Sequence, residues 1–474
     1  MRKELRDYQI RGITEIRQAY IDGLLDESRN YDAGFAVLYQ GACGSGKTVI
    51  FAYISENASR KNKRILILVP RKELLLQGSK ALDDSGVDHG IIAPKHEQTN
   101  QLIQIASKDT LIRRLDSIEY PDMIIVDECH RIRGATYADI IKRFPKADLL
   151  GVTATPIRLD GKSLGRKSGG FFDVLIKGPT PKELIAKGYL AEPIVYSLPS
   201  TVDFNQLNLK LGDFDKKESA KLMGESKIYG NCIEHYKKIC PNAPAIAFTI
   251  SIKEAEEVAK KFNDAGIPAM SIDGKMSDDK RKYALDCLRN DEIKVLTSCE
   301  LVSEGLDIPK VTCAIGLRPT ASLRVFAQQS GRPLRPYPGK EYCYILDHVG
   351  NVLRHGSPIA DRDWQLDVDM KPNKGKAPII RDFWICDMCY ASNDISADIC
   401  AQCGEGRKVN SRQIKEIEGE LQRIKEEEME VQDKIRKKNE RKQARTLEDL
   451  QRIEKERGYK RGWAEIVFNA RGGM

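Results

Sequence analysis

The stretch FAVLYQGACGSGKTVIFAYI, Phe35 to Ile54, sets an unbroken apolar run before a glycine-rich loop and a second apolar run after it. Five apolar or aromatic residues in a row suit a strand buried on both faces, and the run from about Lys47 onward has the length of a helix. The loop between them, GACGSGKT from Gly41 to Thr48, has the spacing G-x-x-x-x-G-K-T. In a strand, loop, helix context that spacing makes a phosphate cradle. Gly44 and Gly46 let backbone N–H groups wrap phosphate oxygens, with Gly41 and Ser45 completing the turn. Lys47 reaches the terminal phosphates, and the hydroxyl of Thr48 can ligate magnesium.

Working outward, short runs rich in Val, Ile and Leu recur: RILILVP, DMIIVDE and ADLLGVT follow in the first part, then APAIAFT, IKVLTSC, VTCAIGL and YCYILDH. Amphipathic stretches separate them. In SIKEAEEVAKKFNDAG, Ile252, Ala255, Val258, Ala259 and Phe262 fall on one helical face and Gly266 is a C-cap. Alternating strands and helices predict an α/β chain with two parallel-sheet domains, at 1–190 and 191–360. A linker at 361–378, a cysteine-bearing segment at 379–407 and a charged helical tail at 408–474 follow.

The run DMIIVDECHRIRG, Asp122 to Gly134, ends a strand in two carboxylates, a cysteine and a histidine. An acid at the end of a strand downstream of a phosphate loop stands beside the nucleotide's magnesium. Asp127 is therefore the expected metal partner and Glu128 the expected base for an attacking water. A zinc site is disfavoured because neighbouring Cys129 and His130 point to opposite sides of a strand and no second pair lies nearby. A thiol nucleophile would need a base from elsewhere in the fold.

With 474 residues, 41% apolar and 31% charged, the chain can build several cores, and no stretch approaches the ~18 consecutive apolar residues of a membrane span. The start MRKELRDYQIRG has no apolar export segment, so a cytoplasmic location is expected. Eight of the twelve cysteines are scattered singly and are expected to be reduced. The net charge of +8 allows a polyanionic partner without establishing one.

In order along the chain, these segments resemble the motifs of superfamily 2 helicases and translocases. LRDYQIRGI is similar to the adenine-reading Q-type motif with Gln9 in the reading position, VPRKELLLQ to motif Ia, and TATP (Thr153 to Pro156) to motif III. In the second half, AIAFTISIKEAEEVAKKF resembles motif IV, VLTSCELVSEGLDIPKV motif V, and QQSGRPLR (Gln328 to Arg335) motif VI. The resemblance implies two RecA-like domains with ATP in the cleft between them. Lys47, Thr48, Asp127 and Glu128 would act from one wall, Arg332 and Arg335 from the other, with Gly305 and Asp307 joining from the second domain. It further implies that His130, Thr153, Thr155 and Gln328 couple nucleotide state to the track, and that Arg71, Thr249 and Thr297 contact strand phosphates.

FWICDMCYASNDISADICAQCG carries C-x2-C, ten residues, and C-x2-C. Cys386, Cys389, Cys400 and Cys403 so spaced predict a closed, structural zinc site. The run also resembles Ran-binding-protein-type zinc fingers, with Asp394 where RNA-reading members carry an aromatic. Together with DECHRI, TATPIRLDG, LRPTASL and RGYKRGWA, it makes the whole chain look like the RadD-type helicases of bacteria and their phages. That resemblance implies an ATP-dependent DNA helicase or translocase acting on single-stranded, forked or branched DNA, with a single-strand-binding or recombination protein as a candidate partner. An RNA-dependent helicase and an ATP-switched adaptor or restriction-complex subunit are the competing readings. In the tail, Ile414, Ile417, Leu421, Ile424, Val431 and Ile435 predict a long solvated helix running into the basic RKKNERKQAR. Tyr459 and Trp463 read either as a docking patch or as a stacking platform.

Overall fold

The computed structural model describes residues 4–27, 29, 32–132, 135–158, 162–197, 207–210, 213–224, 228–299, 308–368, 383–386, 388–394, 397–407, 446–457 and 462–470. In the first lobe the strands are β1 (Ala36–Gln40), β2 (Ile65–Val69), β3 (His89–Ile92), β4 (Ile103–Ser107), β5 (Met123–Asp127), β6 (Asp148–Thr153) and β7 (Val174–Lys177). They form one sheet in the order β3-β4-β2-β5-β6-β1-β7, every pair parallel. The intervening helices are α1 (Asp7–Leu25), α2 (Lys47–Ser59), α3 (Lys72–Asp84), α4 (Lys108–Leu111), α5 (Ala135–Arg143) and α6 (Pro181–Ala186).

Alternation along β1 explains why its sequence is apolar throughout. Val37 and Tyr39 pack with Ile50, Phe51 and Leu75 on one face, while Ala36 and Leu38 pack with Tyr137, Phe144 and Phe172 on the other. Each such Leu, Ile or Phe contributes on the order of 1.5–3 kcal/mol by leaving water. The two faces hold β1 rigidly, so the loop leaving it has a fixed origin.

The second lobe contains β8 (Glu192–Ser197), a small hairpin of β9 (Leu209–Lys210) and β10 (Asp213–Phe214), then β11 (Ala245–Thr249), β12 (Ala269–Ile272), β13 (Val295–Cys299), β14 (Cys313–Gly316) and β15 (Tyr342–Asp347). Its six-stranded sheet runs β12-β13-β11-β14-β15-β8, again all parallel. Helices α7 (Lys216–Gly224), α8 (Ile228–Ile239), α9 (Ile252–Asp264), α10 (Asp278–Arg289), α11 (Leu323–Ser330) and α12 (Asn351–His355) complete it. The anticipated face of α9 is the buried one: Ala255, Val258, Ala259 and Phe262 sit in the core, and Gly266 has φ +78°. The chain is therefore an α/β protein with two tandem RecA-like domains.

Residues 361–368 are no free linker. Leu366, partly buried, packs against the first lobe's core, and its carbonyl accepts from Gly165 N (3.0 Å) and Ser163 Oγ (2.7 Å), while Lys177 pairs with Asp363 at 2.8 Å. The apolar contact and these polar ones together dock the strap. Positions 369–378 lie outside the described residues.

A hairpin of β16 (Phe383–Ile385) and β17 (Ser392–Asp394) holds Cys386 and Cys389 between its strands, and Cys400 and Cys403 follow it. It covers the edge strand β8, with Ala391 bridged antiparallel to Tyr196 and Ser197 N donating to Tyr390 O at 3.2 Å. Residues 406–474 form a separate unit. Its described helices, Leu447–Arg457 and Trp463–Ala470, share a small core of Leu450, Ile453 and Ala464, against which Trp463 packs half-buried. The Glu454 carboxylate accepts from Gly462 N and Ala464 N and so caps the second helix. The long helix from Ile414, the basic run 436–445 and Tyr459 lie outside the described residues. No helix among the described residues is long and apolar enough to cross a membrane.

Candidate active site

Strand β1 delivers Gly41 to the carboxyl edge of the sheet, where Gly41 N donates to Thr153 O at 2.9 Å and the Gln40 amide to Ala154 O at 3.1 Å. The loop is thereby tied to the end of β6. Gly46 caps α2 with φ +77°, a conformation that glycine adopts without strain, and a β-carbon there would lie 2.6 Å from Gln9 Nε2. Gln9 itself rests on the loop. Its Oε1 accepts from Arg6 N at 2.9 Å, its Nε2 is 3.4 Å from Ser45 O, and Tyr8 OH donates to the same carbonyl at 2.9 Å. Lys47 Nζ donates to the carbonyls of Gly41 and Ala42 at 3.0 and 3.3 Å.

Ser45 Oγ of this loop is buried with no hydrogen-bond partner among the described residues, as are Thr155 Oγ1, just after β6, and Gln328 Oε1, on α11. Buried polar atoms are rarely left unpaired, and an unanswered hydroxyl in a phosphate loop fits a site that a polar substrate completes. Asp127 closes β5 and is buried, with Oδ1 accepting from Glu128 N at 2.9 Å. An aspartate carboxylate and a threonine hydroxyl such as that of Thr48 are the hard oxygen donors that magnesium takes.

Glu128 occupies the left-handed region at φ +51°, a strained position for a non-glycine residue that turns its side chain toward the loop's charges. Burial alone would raise its pKa, but the His130 hydrogen bond and the charges of Lys47 and Arg324 outweigh it and hold the carboxyl well below the ordinary carboxylate range. The group stays ionised across physiological pH. It is suited to orient a water as a hydrogen-bond acceptor more than to store its proton. Cys129 is fully buried beside it, and burial pushes its thiol well up, which leaves it inert.

His130 links the two lobes. Arg324 Nη1, on α11, reaches His130 Nε2 at 3.3 Å, and His130 Nδ1 lies 3.0 Å from Thr153 Oγ1 and 3.3 Å from Glu128 Oε2. A guanidinium only donates, so Nε2 must accept and Nδ1 must carry the proton. Thr153 Oγ1 donates onward to Thr155 O at 3.2 Å. A directed chain of hydrogen bonds therefore runs from the second lobe through the DECH segment to the TATP segment. No sequence motif marks Arg324, which stands four residues before Gln328, outside the motif's spacing. Arg324→Ala is expected to lower nucleic-acid-stimulated turnover about tenfold, the scale of one charge-assisted hydrogen bond, with ADP affinity and melting temperature unchanged. Equal loss of stimulated turnover and of ADP affinity would argue against this positioning role.

Motif VI lies over the phosphate loop. A β-carbon on Gly331 would fall 2.6 Å from Cys43 Cβ, and one on Gly44 would lie 3.5 Å from Arg335 Cγ. Arg332 is buried, and Arg335 is half-buried. Apolar contacts support the approach: Tyr8, Ala42, Leu184, Leu190 and Leu334 form one cluster, and Ala191 N donates to Leu334 O at 2.8 Å. On the opposite rim Arg281 pairs with Glu73 at 2.7 Å, and Lys72 pairs with Asp278.

Two of the anticipated strand contacts are corrected by the geometry. Thr297 is fully buried and its hydroxyl donates to Ala255 O at 2.6 Å, because its position in β13 faces α9. Thr249 is 1% exposed, and its hydroxyl serves Ser251 O and Ser298 O. Both hydroxyls serve the fold, and neither reaches a strand at the surface. Arg71 is half-buried at the start of α3. Gly305 and Asp307 lie outside the described residues.

The four cysteines of the ribbon converge, with all four sulfurs within 4.8 Å of one another. Cys386 to Cys403 and Cys389 to Cys400 are each 3.6 Å apart, well beyond the ~2.05 Å of a disulfide. Backbone N–H groups of Cys403 and Gln402 and the Asn393 amide point at Cys400 and, against its burial, lower its pKa. Trp384 Nε1 donates to Ala397 O at 2.6 Å and pins the hairpin. The donor set fits a closed thiolate site for zinc. The eight other cysteines form no disulfide; Cys43 and Cys299 are half-buried and the rest buried.

A phosphate loop and an acidic strand end on one RecA-like lobe, faced by arginines of a second, define a nucleotide-driven two-lobe motor. Residues 2–158 match the family described as the res subunit of Type III restriction enzymes, and residues 231–336 match the helicase conserved C-terminal domain. A 51.5 kDa protein of a Lactococcus phage is 34% identical over 83% of this chain and 83% of its own length. The chain belongs to the superfamily 2 helicases, enzymes that hydrolyse ATP. The DNA 3'-5' translocase XPB2 of Sulfurisphaera tokodaii is 26% identical over 70% of this chain and 79% of its own. The chain spans about half the length of two yeast relatives, 51% and 54%. Among solved structures, the ATP-dependent Type ISP restriction-modification enzyme LlaBIII, bound to DNA, shares the fold with a TM-score of 0.51 and 18% identity, over 73% of this chain and 28% of that enzyme.

Proposed function

We propose that this chain is an ATP-driven DNA translocase of the RadD type that unwinds or remodels branched or gapped DNA. The observation that carries the motor reading is the hydrogen-bond chain from Arg324 through His130 to Thr153, because it makes the hydrolytic wall sensitive to the position of the second lobe. DNA is favoured over RNA as the track because VPRKELLLQ departs from the PTRELA wording of RNA-remodelling enzymes and a translocase of DNA is among the relatives.

In the closed cleft, Lys47 and the loop amides hold the phosphates, and Thr48 and Asp127 would hold magnesium, which when bound neutralises phosphate charge. Glu128, ionised and turned by its strained backbone, orients the water. The water oxygen bonds to the γ-phosphorus as the bond to the β–γ bridging oxygen breaks, and the water's proton passes late to an oxygen of the released phosphate. Arg332 and Arg335 stabilise the charge spreading over the γ-oxygens. Cys386, Cys389, Cys400 and Cys403 would hold zinc as a structural ion.

The test is ATP turnover across single-stranded, duplex and forked DNA and RNA. Sharp stimulation by forked or single-stranded DNA, abolished by Lys47→Ala without loss of folding, is the expected result. Stimulation by RNA alone would transfer the enzyme to RNA remodelling. Nucleotide binding without strand displacement would favour an adaptor or restriction-complex subunit.

A further inference from the structure

A cavity of about 220 Å³ lies where the second lobe meets the four-cysteine ribbon, lined by Tyr196, His235, Lys238, His348, Tyr390 and Gln402 among others. It sits at the carboxyl ends of β8 and β15. Because every strand of this sheet is parallel, that is the same edge at which β11 and β13 end in the motif IV and V segments. Ligands of parallel α/β sheets bind at such edges.

The cavity is built as a stacking site. His235 and His348 are stacked with ring centroids 5.2 Å apart and planes 14° apart, and Tyr390 of the ribbon is tilted against His235 at 6.4 Å. His348 is 5% exposed, and neither of its ring nitrogens has a hydrogen-bond partner among the described residues. A buried imidazole with two unanswered nitrogens is costly, and the cost is relieved by a ligand edge that both donates and accepts. Burial lowers its pKa to about 3, so the ring is neutral and offers one donor and one acceptor. Tyr390 is held at φ +61°, an unusual backbone for an aromatic residue, which keeps its ring beside His235. Lys238 is exposed at the rim, where it can meet a phosphate.

We propose that this cavity receives one unstacked nucleobase of the strand bound along the second lobe, between the His235–His348 pair and Tyr390, with its edge read by His348. The proposal rests on the nucleic-acid-motor reading above and adds to it a single-base register point shared by lobe and ribbon. A planar heterocycle with donors and acceptors on one edge and an adjoining phosphate matches stacking rings, a neutral imidazole and a lysine.

The test uses the full zinc-loaded chain and the shortest DNA and RNA oligonucleotides that bind stoichiometrically, each carrying one abasic residue stepped along its length. Affinity is read by fluorescence anisotropy. The expected result is one position at which loss of the base weakens binding about tenfold, the scale of one base–aromatic stack. In His235→Ala, and separately in Tyr390→Ala, the intact oligonucleotide should bind about tenfold more weakly, and the position dependence should disappear. Zinc content and basal ATPase are measured in both variants, so a collapsed ribbon is recognised, and His235→Ala leaves the ribbon's own residues untouched. Equal affinity for every abasic position, or position dependence that survives both variants, would overturn the base pocket and leave strand binding intact. Failure of every intact oligonucleotide to bind would sink the strand-binding reading itself.

Discussion

Arg332→Ala is expected to lower the maximal ATPase rate on the order of a thousandfold while ATP still binds. The side chain is buried in the second lobe, and the adjoining Gly331 is so close to the phosphate loop that a β-carbon would strike Cys43. In the proposed role its charge would act on the γ-phosphate oxygens as they gain charge, so its loss is expected to fall on kcat rather than on substrate affinity. Arg335→Ala should behave alike with a smaller loss, since its stem runs past Gly44. Steady-state kinetics alongside equilibrium binding of a fluorescent ATP analogue separate the terms. Loss of affinity with an unchanged rate would recast both arginines as simple binding groups.

Loss of the ribbon's metal is the second large effect. Purified chain should contain one zinc per molecule by elemental analysis, and Cys400→Ser should contain none. Structural thiolate sites draw roughly 10 kcal/mol or more of folding free energy from the ion, and the described ribbon core around the cysteines consists of little more than Ala391, Trp384 and Tyr196. Without zinc the hairpin should unfold and release its pairing with Ser197, exposing 383–407 to protease while both lobes stay protected. Basal ATPase should persist, because no cysteine of the ribbon lies in the nucleotide cleft. A protease-resistant ribbon without zinc would contradict the assignment.

How much of this was legible from the residues follows from burial. β1, β2, β5, β6, β11, β13, β14 and β15 are short apolar runs because both of their faces are covered, and each was readable. β3, β4, β7, β8 and β12 were not. HGII, VLIK, EPIVYS and AMSI lie at sheet edges, where partly exposed positions dilute the apolar run and Pro193 is tolerated, while the interior β4, IQIAS, is broken by the polar Gln104 and Ser107. The phosphate loop, the acidic strand end and the cysteine pairs were legible because their chemistry needs fixed local spacing. Thr249 and Thr297 were misplaced because motif position does not report which face of a strand a side chain takes; one residue of shift exchanges surface for core. Arg324 was invisible for a different reason: its partner, His130, is 194 positions away, and only folding brings them together. The strap at 361–368 read as linker because it runs into the Lys-, Pro- and Gly-rich 369–378, and the alternation of Trp364, Leu366 and Val368 is too short to stand out beside it.

The central claim is that both lobes grip the same triphosphate. Its most direct measurement is the affinity of ADP–aluminium fluoride, a mimic of the transferring phosphoryl group, compared with that of ADP alone in the parent chain and in Arg332→Ala. The parent should bind the mimic at least a hundredfold more tightly than ADP, in line with transition-state analogues generally, and the variant should lose most of that gain with its ADP affinity intact. An undiminished gain in the variant would show that the second lobe takes no part in the chemistry.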